Sequence, residues 1–116
     1  MKAAHRRIRV LFWAAAAFTL VMAVLPHPPD LPGHPSDKVQ HVIAFATLTA
    51  LASWAFDNVR AAWILLGLSL FGATIELLQS IPALSRDSDP KDWIADTVAV
   101  GTVLLVAAFL RISRSR

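Results

Sequence analysis

Four apolar stretches, residues 8–25, 39–56, 61–78 and 93–110, divide the chain, each 18 residues long by those bounds. At 1.5 Å rise per residue, such a stretch makes about 27 Å of helix, enough for the hydrocarbon core of a thin bilayer. No proline falls inside any of them. Pro26, Pro28, Pro29, Pro32 and Pro35 lie between the first and second stretches, and Pro82 and Pro90 between the third and fourth, where a missing N–H breaks no helical bond. The link from Asp57 to Arg60 is short enough to force the second and third stretches into an antiparallel hairpin. A soluble bundle would carry a polar stripe on the outer face of each helix, and these segments have none. The pattern predicts an all-α polytopic membrane protein, a single domain over residues 1–116 with four transmembrane helices.

Nine polar or charged residues depart from this pattern, and all gather at one end of the segments: Asp37, Lys38, His41, Glu76, Gln79, Arg86, Asp89, Asp92 and Asp96. Charged groups cost roughly 2.5 to 3.5 kcal/mol each at the centre of a membrane helix, so such residues are candidates for a functional site. Depth follows from counting away from the hairpin turn. His41 precedes Phe56 by 15 residues and Glu76 follows Ala61 by 15, which sets both about 22 Å from the turn, able to face each other. Gly72 lies one turn before Glu76 on the same face and lets a neighbouring helix come close. Gln79 extends that polar edge outward.

Asp37, Lys38 and His41 share a face if the helix begins near Ser36, a suitable N-cap with Asp37 at the positive end of the dipole. Asp37 and Lys38 also fit a plain, solvated helix start. Asp89, Asp92 and Asp96 follow an i, i+3, i+7 spacing that leads from the outer loop into the membrane. Asp89-Pro90 resembles an N-cap followed by proline at the first helical position, a structural role that also suits Asp92 in the first turn. Asp96 is followed by an uncharged run up to Arg111. Buried there, it needs a partner, and Arg86 and His41 are the candidates at its depth.

Composition agrees with the pattern. The chain has 116 residues, 56% of them hydrophobic, and no cysteine, which removes disulfides, thiolate metal sites and cysteine nucleophiles. A pI near 10.2 raises nucleic acid as a partner. However, eight of the eleven Lys and Arg residues (Lys2, Arg6, Arg7, Arg9, Arg60, Arg111, Arg114 and Arg116) flank the apolar segments, and no nucleic-acid motif is present. They read as positive-inside signals that set both termini in the cytoplasm and the proline-bearing loops outside. Trp13, Trp54, Trp63 and Trp93 fall near segment ends, as an aromatic belt places them. The first segment has a second reading, a secretory signal with a cleavage site near Val21-Met22-Ala23, although its apolar run is long for one.

A histidine among carboxylates can ligate a divalent cation, act as a general base or form a structural network. His-x-x-x-His and His-Glu-x-x-His spacings are absent, so no metal ligands or cofactor are assigned, and a divalent cation at the aspartate cluster stays as an option. If the chain is an enzyme, His41, Glu76 and Asp92 are the catalytic candidates. His41 would serve as general base oriented by Asp37 or Glu76, Arg86 would stabilise negative charge, and water would be the nucleophile, since no serine or threonine sits in a nucleophile motif.

Ser36-Asp37-Lys38 followed by His41 and Phe45, then Glu76-x-x-Gln79, then Arg86 with Asp92 six positions later, resembles the VanZ-like family of small bacterial membrane proteins, named for a protein associated with teicoplanin resistance. The likeness spans residues 36 to about 101. Two positions depart from the family pattern: Asp96 stands where an asparagine is usual, and Ala99 where a glycine is usual. The resemblance implies a cell-envelope role in the bacterial cytoplasmic membrane and altered handling of a glycopeptide antibiotic.

The expectation is thus an outward-facing polar pocket, formed by the nine residues, that binds an envelope or glycopeptide-type headgroup beside the lipid bilayer. Oligomers are compatible with it. An intramembrane hydrolase or transferase acting on an envelope lipid, and a structural or accessory subunit of a membrane complex, are the alternatives.

Overall fold

The computed structural model describes residues 2–26, 32–33, 36–84 and 88–114. These residues form four long helices, α1 (Lys2–Val24), α2 (Asp37–Ala55), α3 (Ala61–Gln79) and α4 (Pro90–Arg114), with one short 3₁₀ turn at Pro82–Leu84. All-helical architecture is therefore observed among the described residues. α1 and α4 run further into their basic ends than their apolar cores, because Lys and Arg are good helix formers that continue a helix past the greasy stretch.

Three of the helices, α1, α3 and α4, are long and apolar enough to cross a membrane. α2 differs because its first turns carry Asp37, Lys38, Gln40 and His41. The surface is greasier than a water-facing surface would be, with Leu105 74% exposed and Leu77, Phe109 and all four tryptophans also turned outward. Inside the bundle, Thr49, Ser53, Glu76, Gln79, Asp92 and Asp96 are buried beside the apolar core. Outward threonines satisfy themselves locally: Thr47, Thr74 and Thr102 each donate to the carbonyl four residues back, at 2.8 Å. Such back-bonding gives a hydroxyl a partner where no water is on hand.

α2 packs most heavily on α4, α4 also on α3, and α1 on α2, whereas α2 and α3 touch only lightly despite their short connection. The hairpin partners are thus held apart, with α4 lodged against both. The buried stripe of α2 runs Phe45, Leu48, Thr49 and Ala52, that of α3 Leu68, Gly72, Ile75, Glu76 and Gln79, and that of α4 Asp92, Asp96 and Val100. Three- and four-residue spacings put each set on one helical face. Polar residues occupy the same end of the α3 and α4 stripes. At the other end, near the Phe56–Arg60 link, an apolar groove of about 390 Å³ opens between α1 and α3, floored by Ala52 and Phe56.

Candidate functional site

The start of α2 is set by Ser36, whose extended backbone and Oγ, accepting from the Val39 N–H at 3.3 Å, make it the N-cap. One turn in, His41 lies half-buried on the inward face. The start of α4 is set in the same manner: Asp89 Oδ1 accepts from the Lys91 N–H at 3.0 Å, and Pro90 takes the first helical position. Proline suits that position because its absent N–H would have had no helical partner. Asp92 and Asp96 then point inward one and two turns along.

Gly72 is where three helices meet. A Cβ built there would stand 3.3 Å from Asp96 Oδ2 and 3.4 Å from both Phe45 Cζ and Trp93 Cδ1. Its missing side chain lets α2 and α4 close over α3 and brings the polar residues together. His41 Nδ1 lies 3.1 Å from Asp96 Oδ2, with Asp96 fully buried at 0% exposure. A carboxylate only accepts, so Nδ1 is the donor. The His41 ring also stacks on Phe45, nearly parallel to it at 16°.

Glu76, 7% exposed, sits within reach of the same group. Its Oε2 accepts from the Asp89 N–H at 3.0 Å and from Ser88 Oγ, 3.2 Å away, while Ser88 Oγ is also 2.9 Å from the Glu76 carbonyl oxygen. His41, Glu76 and Asp92 each offer a ligand atom, all within 4.8 Å of one another. Glu76 Oε1 and Asp96 Oδ1 are buried with no hydrogen-bond donor among the described residues. Four of the nine expected residues, His41, Glu76, Asp92 and Asp96, therefore converge. Asp92 belongs to this inner group, so its place in the first turn of α4 is more than a capping role.

Three of the other five, Asp89, Gln79 and Lys38, take different places. The Asp89 carboxylate caps α4 and only its backbone reaches Glu76. Gln79, 2% exposed, donates Nε2–H to the Ala23 carbonyl at 3.0 Å and so ties α3 to the end of α1. That carbonyl belongs to the last turn of α1, where no helical N–H remains to satisfy it. Lys38 is exposed. Arg86 and the Asp37 side chain lie outside the described residues.

No protein-family model, curated protein or solved structure matches this chain.

Sequence reasoning passed over Ser88, which braces Glu76, although a serine directly before the Asp89-Pro90 cap was its available signal. It also passed over Ser69, one turn from Gly72 on the same face. Ser69 Oγ is 3.0 Å from Thr97 Oγ1, and the Ser69 carbonyl accepts from Trp93 Nε1 at 3.0 Å. These bonds fasten α3 to α4 directly beneath the polar group. Among the described residues the hydrogen-bonded partner of His41 is Asp96, for which His41 was one of two candidates, whereas Glu76, an expected orienter, is bonded to Ser88 and the Asp89 N–H.

Chemically, the arrangement is a buried acceptor-rich nest. It suits hydrogen-bond donors or cations, and its His–carboxylate pair is also the base-and-orienter arrangement of acid–base catalysis.

Proposed function

We propose that this chain is a four-span membrane protein of the cell envelope, with both termini in the cytoplasm, whose polar end binds the headgroup of an envelope constituent from outside. One observation carries the reading: Glu76, Asp92 and Asp96 are buried together with His41 in an otherwise greasy bundle, and two of their oxygens have no donor among the described residues. A network serving only as glue would be internally satisfied, because each buried unpaired acceptor costs about 1 to 3 kcal/mol. Oxygens left open fit a ligand that supplies ammonium, amide or hydroxyl donors, the groups that lipid-linked peptides and glycopeptides carry. The resemblance to VanZ-like proteins supports the same setting and links it to glycopeptide handling.

The reading is tested with Glu76→Gln and Asp92→Asn variants matched to wild type in membrane abundance. Each is expected to weaken binding of a labelled lipid-linked peptidoglycan precursor or of teicoplanin to the purified protein, and to shift teicoplanin susceptibility of a sensitive host towards that of cells lacking the protein. Unchanged binding and unchanged susceptibility in both variants sink the proposal.

The His41–Asp96 bond favours one second reading, an intramembrane hydrolase with His41 as general base. Turnover of envelope lipids by wild type that disappears in His41→Gln would establish it, and no turnover by wild type would remove it.

A further inference from the structure

Three helices each deliver one potential metal ligand to the same point: His41 from α2, Glu76 from α3 and Asp92 from α4, with ligand atoms within 4.8 Å of one another. Glu76 and Asp92 are each 7% exposed, so bulk water does little to neutralise them. Around this set the supporting bonds resemble an outer ligand shell. Asp96 holds His41 through Nδ1, which leaves Nε2 with the lone pair, the arrangement in which a carboxylate orients a metal-ligating imidazole. Glu76 is braced at Oε2 by Ser88 and the Asp89 N–H, while its Oε1 is buried without a donor among the described residues, as is Asp96 Oδ1. Two carboxylates with unanswered oxygens around the His41 imidazole concentrate negative charge that a cation would neutralise.

We propose that His41, Glu76 and Asp92 bind one divalent transition-metal cation, with Asp96 positioning His41 for it. The inference rests on the reading of this layer as a binding site and names what that site holds. One imidazole with two carboxylates suits Zn²⁺, Co²⁺ or Mn²⁺, whereas Ca²⁺ and Mg²⁺ favour all-oxygen sets. Three protein ligands leave a coordination position open to water or to an oxygen of a headgroup. A tetrahedral ion with bonds of about 2.1 Å holds its ligands about 3.4 Å apart, so the three side chains need draw in only slightly.

The test uses full-length protein freed of its affinity tag, stripped with a chelator in detergent and titrated with Zn²⁺ and, separately, Co²⁺. Wild type is expected to take up one equivalent of either, with excess Mg²⁺ unable to displace it, and bound Co²⁺ is expected to show the intense visible absorption of low coordination number. Glu76→Gln and Asp92→Asn should each weaken uptake by more than about 100-fold, and Asp96→Asn by about 10- to 100-fold with an altered Co²⁺ spectrum and unchanged stoichiometry. Asp57→Asn, at the opposite end, should leave uptake unchanged.

Folded wild type that takes up neither ion overturns the inference, as does uptake that survives in both Glu76→Gln and Asp92→Asn. If these variants fail to fold, the wild-type Co²⁺ spectrum and stoichiometry decide alone. Absent metal uptake with headgroup binding intact removes this inference and spares the headgroup reading; metal uptake without headgroup binding does the reverse.

Discussion

Without the His41 side chain, Asp96 would be a buried carboxylate facing Phe45, Gly72 and Trp93, with neither oxygen paired to a described donor. Breaking a buried pair from one side costs about 3 to 5 kcal/mol because the remaining charge is stranded. His41→Ala is therefore expected to lower unfolding free energy in detergent by about 3 kcal/mol, far above the roughly 0.6 kcal/mol average for polar contacts between membrane helices. Adding Asp96→Ala should recover part of the loss, and a double-mutant cycle showing no coupling would refute the pairing. Gly72→Leu should cost about 1 to 3 kcal/mol by pushing a side chain into Asp96, Phe45 and Trp93. Gly101→Ala, where an added Cβ meets nothing within 4 Å, should be neutral or stabilising by up to about 1 kcal/mol. Thermal unfolding of the two variants side by side checks the contrast. At this scale the chain was partly legible: counting from the turn put His41 and Glu76 at one depth, but that His41 bonds Asp96 and Glu76 bonds Ser88 depends on which faces meet.

Helix ends carry much of the remaining specificity. Ser36 and Asp89 cap α2 and α4 as their sequence context predicts, and Ser36→Ala or Asp89→Ala should each cost about 1 kcal/mol. Asp89→Asn, an equally good cap, should leave both stability and the Glu76 tie intact, because the tie uses the backbone N–H of residue 89. A substantial loss of stability in Asp89→Asn, read by thermal unfolding, would assign the carboxylate a role beyond capping. The far end of α2 is finished by two arginines from other helices: Arg9 Nε donates to the Ala55 carbonyl and Arg111 Nη2 to the Ser53 carbonyl, both at 3.1 Å. Cations complement the negative end of a helix dipole, and in a lipid setting they also supply donors to carbonyls that water cannot reach. From composition alone these arginines read as orientation signals only. Their second role was invisible because a capping bond across more than forty residues leaves no local pattern.

For the whole molecule, the decisive relation is that Glu76, Gln79, Asp92 and Asp96 are buried beside the apolar core while large apolar side chains such as Leu77, Leu105 and Phe109 face outward, which a water-soluble bundle would avoid. On the proposed topology, with both termini cytoplasmic, four crossings place Asn58 inside and Ala83 outside; with the N-terminus cytoplasmic and α2 not crossing, Asn58 lies outside and Ala83 inside. The chain has no cysteine, so single cysteines at these positions can be labelled in intact cells with a membrane-impermeant maleimide. Ala83→Cys is expected to label from outside and Asn58→Cys only after the cells are opened, and outside labelling of Asn58→Cys would rule out the four-span arrangement. Which helices are neighbours could not be read from the linear order. A short link argues for a tight α2–α3 pair, yet α2 packs chiefly on α4, because the small Gly72 and the inward Asp92–Asp96–Val100 face draw α4 against both.

By itself the sequence determined the helices, the caps of α2 and α4, the shared level of His41 and Glu76 and the sign of charge at each end, since periodicity, proline placement and capping chemistry act over a few residues along one chain. Tertiary structure alone decided that Asp96 orients His41, that Ser88 braces Glu76, that Asp92 joins the inner group and that Gln79 serves as a tether. Those are pairings between helices. They depend on how far each helix is rotated and how closely its backbone can approach, which packing at Gly72 settles and local spacing does not encode.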